Sequence, residues 1–303
     1  MSGYKIIAFF YPKEISNDLL VFQKTAKHGF ISKMSDLKKI MDKEDIDILI
    51  FAVDFLKDRN LAWKTFFNLS SQIQKIDFYD FYEFLTDKVC LEGLNEAWFS
   101  KNAFFIEKRI ENLLKNIFDF CFSVIGLFFL IFLFPIIFLA IKIDSSGSVF
   151  YTQKRVGKNG KIFTLFKFRT MKVNAEANGA QWATESDPRI TRVGSILRRF
   201  NLDELPQFLN ILKGEMSFVG PRPERPKFVI ELKQGIPFYE LRHLVKPGLT
   251  GWAQTSYQYA ASFKESREKL KYDFYYLKHR SFFLDISIIF KTIRGCISKL
   301  FEN

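Results

Sequence analysis

From Phe120 to Ile141 the chain carries no charged residue, and on either side of that run lie Asp119 and Lys142. As a helix those 22 residues, FCFSVIGLFFLIFLFPIIFLAI, would reach about 33 Å at 1.5 Å per residue, enough to cross the hydrocarbon core of a bilayer. Nothing else in the chain constrains the fold as strongly, because a stretch this apolar must end in lipid or in a large core. A simple span is the default reading, and two features oppose it. Pro135 interrupts the hydrogen-bond ladder, at a cost of about 3 kcal/mol unless neighbours satisfy the freed carbonyl. Basic residues flank both ends (Lys108, Arg109 and Lys115 before, Lys142 after), so the positive-inside rule names neither end as outside. No signal peptide is read at the N-terminus, where Ile6–Phe10 is a short apolar run followed by Pro12. The expectation is a membrane helix over 118–141 that breaks at Pro135 and enters and leaves by the cytoplasmic face.

Charge is distributed unevenly about this segment. Residues 1–117 carry 17 basic and 17 acidic side chains, whereas residues 142–303 carry 28 basic and 15 acidic, a net of +13. A basic half that follows an apolar segment points to anionic headgroups or a polyphosphate substrate. No nucleic-acid recognition motif accompanies it, so nucleic acid is not expected as a partner. Cys90, Cys121 and Cys296 are odd in number and lack metal-ligand spacing, which fits a reducing compartment without disulfides. His28, His243 and His279 show no partner pattern.

The chain divides at the approach to the apolar run. Residues 1–105 read as a small α/β unit with strands at Lys5–Tyr11 and Ile46–Val53 and helices at Ser35–Lys43 and Ala62–Ile73. The order suggests a truncated Rossmann-like layer, but no G-x-G-x-x-G follows the first strand, so a dinucleotide site is unsupported. Residues 106–303 form the second domain. Val149–Gln153 and Lys161–Met171 read as two strands with Asn159-Gly160 in the turn. Alternation puts Phe163, Leu165, Lys167 and Arg169 on one face of the second strand.

Arg198 to Glu224, RRFNLDELPQFLNILKGEMSFVGPRPE, holds the densest chemistry. Asp203 suits a helix N-cap, Pro206 the first turn, and Gly214 the position after the C-cap, with Leu205, Phe208, Leu209 and Leu212 at helical spacing. A carboxylate pair, Asp203-Glu204, would then stand at a helix start between Arg198 and Arg199 on one side and Arg222 and Arg225 on the other. A carboxylate that attacks a diphosphate needs guanidinium groups and a divalent cation to overcome repulsion between anions.

At these residues the chain resembles a known family. LDELPQFLNILKGEMSFVGPRP is similar, almost residue for residue, to the central motif of the bacterial sugar transferases, the monotopic polyprenyl-phosphate phosphoglycosyl transferases. SGSVFYTQKRVGKNGKIFTLFKFRTM, SDPRITRVG, VKPGLTGWAQ and LKYDFYYLKHRSFFLDISIIFKTI resemble its other segments, so the likeness covers about residues 108 to 300. Two departures stand out: Phe134 where members often have Ser before the proline, and Ser148 within the usual Gly-Pro-Val-Phe. Asp80–Phe99 is similar to the end of the accessory domain that precedes many long members.

The resemblance implies an α/β protein: an α+β catalytic domain with a re-entrant membrane helix and interfacial helices, behind a small Rossmann-like domain. It implies a monotopic enzyme on the cytoplasmic face of a bacterial inner membrane, in contact with its lipids. That enzyme would move a sugar-1-phosphate from a nucleoside diphosphate sugar, a UDP-sugar, to polyprenyl (undecaprenyl) phosphate through a phosphoryl-aspartate. Asp203 would be the nucleophile. Glu204, with Asp203, would hold Mg²⁺. Lys167, Arg169, Arg222, Arg189 and Gln207 would bind substrate phosphate. The stripe Phe282, Phe283, Ile286, Ile289, Phe290, Ile293 and Ile297 suits an interfacial helix, with core packing as the alternative. A catalytically inactive membrane scaffold and a lipid-phosphate phosphatase are the rival readings, and a homo-oligomer stays open.

Overall fold

The structure, a computed structural model, describes residues 9–10, 30–31, 39–40, 48–51, 74–94, 98–99, 102, 109–173, 175, 187–257 and 262–301. Helix and strand are mixed and helix predominates. The chain separates into two compact units, Met1–Gly93 and Leu94–Asn303.

In the first unit four strands, β1 (Phe9–Phe10), β2 (Phe30–Ile31), β3 (Ile48–Phe51) and β4 (Gln74–Asp77), form a parallel sheet in the order β2-β1-β3-β4. β1 and β3 fall within the two strands expected from sequence; β2 and β4 were not expected. The helix read at Ala62–Ile73 lies outside the described residues, as does most of Ser35–Lys43. β4 runs straight into α1 (Phe78–Thr86), where Asp77 caps the start by accepting from the Tyr79 N–H at 2.8 Å. Asp87 ends α1 in the left-handed region at φ 53°.

The second unit is built on α2 (Arg109–Asp144), a helix of 36 residues that runs through Pro135, where the sequence reading expected a break. It is the one helix among the described residues long and apolar enough to cross a membrane. Most of its surface is bare: Phe120, Phe128, Phe129, Phe132 and Ile136 are among its many exposed apolar side chains. A narrow buried stripe faces protein, through Asp119, Ser123, Ile137 and Ile141. At Gly126 a Cβ would stand 2.3 Å from the Phe208 ring, so only glycine lets α2 lie this close to the residues beneath it.

After α2 comes an antiparallel hairpin, β5 (Phe150–Val156) and β6 (Ile162–Phe168), with Tyr151 opposite Lys167 and Arg155 opposite Phe163. Asn159 and Gly160 take positive φ in the turn, as the Asn-Gly pair requires, and β5 extends three residues beyond the expected strand. α3 (Arg192–Arg199) starts at Thr191, whose hydroxyl accepts from the Gly194 N–H. The chain then reverses at Asn201 (φ 56°) into a 3₁₀ segment, Leu202–Gln207, that continues as α4 (Phe208–Leu212). Asp203 is therefore not an N-cap, contrary to the sequence expectation. Asn201 holds the cap position in a left-handed conformation, and Asp203 falls inside the first turn. Gly214 follows α4 with φ 74°, as expected.

Two short strands, β7 (Ser217–Val219) and β8 (Gly248–Thr250), pair in parallel and lay the Gly-Pro-Arg-Pro loop on the Lys-Pro-Gly loop. A Cβ at Gly248 would sit 2.1 Å from the Gly220 nitrogen, so the glycines here serve backbone contact. α5 (Pro226–Gly235), α6 (Trp252–Ser256), α7 (Phe263–His279) and α8 (Phe282–Phe301) complete the unit. Trp252 is buried against Tyr272, Tyr276 and Ile288, with the Lys291 ammonium 3.8 Å from its ring centroid. The apolar stripe on α8 divides. Of its members Ile289 packs inward, beside Leu284 and Ile288 from outside the stripe, while Phe283, Phe290, Ile293 and Ile297 stay exposed.

Candidate active site

Three backbone segments meet at Glu204. β6 brings Lys167, the 3₁₀ segment brings Asp203 and Glu204, and the loop after β7 brings Arg222. Asn210, fully buried on α4, fixes the first two together. Its amide takes the place of a neighbouring strand, donating to the Thr164 carbonyl at 2.7 Å and accepting from the Phe166 N–H at 3.1 Å. A polar residue inside the apolar run Phe208–Leu212 was the sequence signal for this role, and sequence reasoning passed over it.

Lys167 Nζ and Arg222 Nη2 both donate to Glu204 Oε1, at 2.6 Å and 2.9 Å. Glu204 is desolvated, and the two cations outweigh that penalty, holding its carboxyl well below the usual range. Its Oε2 has no donor among the described residues. Asp203 lies one residue before it, only 6% exposed. No group among the described residues donates to the Asp203 carboxylate. Burial pushes its pKa up, Lys167, Arg198 and Arg222 pull it down, and Glu204 adds to the rise. The outcome is a carboxyl above its ordinary value in a positive field. Arg198 is itself fixed, its Nε donating to Thr170 Oγ1 at 2.8 Å.

The other residues singled out from sequence are placed differently. Arg169 donates to the carbonyls of Ser145 and Ser146 just after α2, and at 2.9 Å to the Ser145 hydroxyl. That arrangement ties the end of β6 to the turn that follows α2. Arg189 forms a two-pronged pair with Asp187, at 2.8 Å and 2.6 Å, which brings the Asp187 carboxyl down to about 2. Gln207 is buried at the end of the 3₁₀ segment. Thus Asp203, Glu204, Lys167 and Arg222 are brought together, while Arg169 and Arg189 are engaged at other groups. Lys269, not foreseen, stands one turn before Asp273 on α7 in the fields of Glu224 and Arg222, and burial lowers its pKa.

Among the described residues no group of three or more metal-ligating side chains gathers anywhere. The adjacent Asp203 and Glu204 carboxylates still offer oxygens that accept nothing from the described residues. Magnesium usually takes one or two carboxylates and completes its shell with water and substrate phosphate, so this donor set fits an ion that arrives with a diphosphate.

The sequence profile of the bacterial sugar transferase family matches residues 110–299. Among individual relatives, the chain is 39% identical over 270 residues to the UDP-N-acetylgalactosamine-undecaprenyl-phosphate N-acetylgalactosaminephosphotransferase of Aeromonas hydrophila, covering 86% of this chain and 62% of that protein. It is 44% identical over 164 residues to the UDP-glucose:undecaprenyl-phosphate glucose-1-phosphate transferase of Escherichia coli, covering 53% of this chain and 35% of that protein. The exopolysaccharide production protein ExoY of Sinorhizobium fredii is 37% identical over 219 residues, 65% of this chain and 94% of that protein. The chain thus spans less than two thirds of the first two of these. The profile match takes in α2, the hairpin, the carboxylate pair and both final helices, and on that ground the chain belongs to the bacterial sugar transferase family.

Proposed function

We propose that the protein transfers a sugar-1-phosphate from a UDP-sugar to undecaprenyl phosphate in two steps through Asp203, at the cytoplasmic face of the membrane. One observation carries the reading: a buried carboxylate that accepts from no described protein group, set among Lys167, Arg198 and Arg222. A structural aspartate would take donors; a nucleophile needs free lone pairs and cations around it. The names of the Aeromonas and Escherichia relatives support the UDP-sugar and undecaprenyl phosphate. The relative that covers most of the chain among those described is named for N-acetylgalactosamine, so N-acetylated sugars stand beside glucose as candidates.

In the first step an Asp203 oxygen attacks the β-phosphorus. The bridging P–O bond breaks and its electron pair leaves with the nucleoside monophosphate. In the second, an oxygen of the lipid phosphate attacks the same phosphorus and the acyl–phosphate bond breaks, which restores the carboxylate. Arg222 and Lys167 neutralise charge on the phosphate oxygens while staying anchored on Glu204. A magnesium ion held by Glu204 and Asp203 would screen the diphosphate's charge. The membrane helix is re-entrant in this reading, and the first unit is a Rossmann-like accessory domain.

The test is the first half-reaction alone. Purified protein with UDP-sugar and Mg²⁺, without lipid acceptor, should release one UMP per active site and exchange labelled UMP back into the UDP-sugar. A direct transfer needs both substrates bound and gives neither signal, so full turnover without exchange would overturn the two-step route. An inactive scaffold releases no nucleotide under any condition, and a phosphatase releases inorganic phosphate.

A further inference from the structure

The loop that carries Arg222 is gripped at three successive carbonyls. Arg242 Nη2 donates to the Arg222 carbonyl at 3.0 Å, Arg155 Nη1 to that of Pro223 at 2.9 Å, and the Val156 N–H to that of Glu224 at 2.9 Å. Arg242 is the most tightly specified of the three groups. Only 5% exposed, it donates Nη1 to the Tyr239 hydroxyl at 2.7 Å and meets Asp273 Oδ2 with Nε at 2.9 Å and Nη2 at 2.8 Å. Asp273 is equally buried on α7, one helical turn from Lys269 and far from the carboxylate pair in sequence. A buried arginine–aspartate pair is weak evidence for stability, since its desolvation cost rivals its attraction, so its geometry asks for another reason. Here the planar guanidinium spends its spare N–H on a single backbone oxygen, that of the residue whose side chain holds Glu204. A lysine at this position could not reach Asp273, Tyr239 and the carbonyl in one plane.

We propose that Arg242, held by Asp273, is a positioning residue for Arg222: it fixes the backbone from which the Arg222 guanidinium reaches Glu204 and the substrate's phosphate. The proposal rests on the reading of Arg222 as a phosphate-neutralising group. Displacing a substrate-positioning group by an ångström lowers rate by up to about 100-fold, so loss of the anchor should cost about 10- to 100-fold in kcat/KM.

Removing Arg242 alone would leave Asp273 buried without its cation, so the informative variant changes both: Arg242→Gln with Asp273→Asn. Four forms of the full chain in lipid nanodiscs are compared: wild type, the paired variant, Arg222→Gln, and all three substitutions together. The paired variant should lower kcat/KM for UDP-sugar about 10-fold or more when Arg222 is present, and less than about 2-fold in the Arg222→Gln background. Equal factors in both backgrounds would mean that the pair acts through general structure, and would overturn the proposal. A second readout needs no turnover. Amide exchange of the paired variant should rise at the non-proline residues of 219–225 and at Val156 while staying at wild-type levels in α7 and β6; unchanged exchange in the loop would overturn the proposal. If wild type turns over no nucleotide sugar, the functional reading fails, and the exchange measurement still decides whether Arg242 fixes the loop.

Discussion

Asp203 and Glu204 are neighbours whose environments push them in opposite directions, and the difference is testable through pH. Burial raises the folded pKa of Asp203 above the value of about 3.9 that an unfolded aspartate shows. An acid of this kind binds its proton more tightly when folded. It costs nothing below the unfolded pKa and becomes destabilising as pH rises through the folded one. Asp203→Asn should therefore abolish turnover and raise Tm at pH 7 but not at pH 3, as read by calorimetry at the two pH values. An unchanged or lower Tm at pH 7 would mean that the surrounding cations stabilise the ionised form. For wild type, the same shift predicts that the first half-reaction slows, as pH falls, at a higher pH than an ordinary aspartate would give. Glu204 has the reverse sign: its stabilisation is present above about pH 4.3 and is lost as pH falls below that. Glu204→Gln should lower stability at pH 7 by about 2 kcal/mol, short of the 3–5 expected for a fully buried pair because the Arg222 side chain is 37% exposed. The loss should shrink toward zero below pH 4. A loss that persisted there would assign it to packing.

At the scale of elements, the coupling of α2 to the 3₁₀ segment passes through Gly126 and Phe208. Gly126→Val would place methyl groups where the Phe208 ring now lies, an overpacking that costs about 1–3 kcal/mol. The variant should lower Tm and also reduce turnover, because Phe208 directly follows the segment that holds Asp203 and Glu204. Wild-type activity with a lowered Tm would show that α2 does not position the site. What sequence made legible and what it hid follow from the range of the contacts involved. The apolar run, the Asn159-Gly160 hairpin and the stop at Gly214 are each set by a few consecutive residues, and each was readable. The left-handed Asn201 that moves the cap away from Asp203 depends on how α3 ends against the hairpin. Likewise the burial of Trp252 depends on the pairing of β7 with β8, about thirty residues apart. In the site, the carboxylates, Lys167 and Arg222 were legible because they cluster in motif-dense stretches. Asn210, Arg242 and Asp273 were not, since Asn210 and Arg242 act through backbone groups that sequence does not reveal, and Asp273 acts through Arg242, 31 residues away.

The whole molecule poses the question of which side of the membrane each end of α2 occupies, and the polar contacts at its two ends bear on it. Near the start, Lys115 pairs with Asp285 and Asp119 accepts from Ser217 and the Phe218 N–H. At the far end, Asp144 accepts from the Val193 N–H, and Arg169 holds the carbonyls that follow. All these partners belong to the same unit, which also touches the helix midway at Gly126. Were α2 a straight span, Lys115 and Asp144 would stand about 43 Å apart at 1.5 Å per residue, on opposite faces of a core about 30 Å thick. The unit would then have to follow the helix through lipid with its Lys167, Arg198 and Arg222 in hydrocarbon, where a charge costs several kcal/mol. A bend at Pro135 that returns both ends to one face removes that cost. Bending at proline needs no break in helical hydrogen bonding beyond the bond proline cannot make. Single cysteines at Asp87 and Lys264, in a chain whose three native cysteines are replaced by serine, provide the measurement. In spheroplasts both should resist a membrane-impermeant maleimide, and both should react once the membrane is opened. Reaction of the Asp87→Cys protein in sealed spheroplasts, with Lys264→Cys protected, would establish a spanning helix and overturn the re-entrant reading.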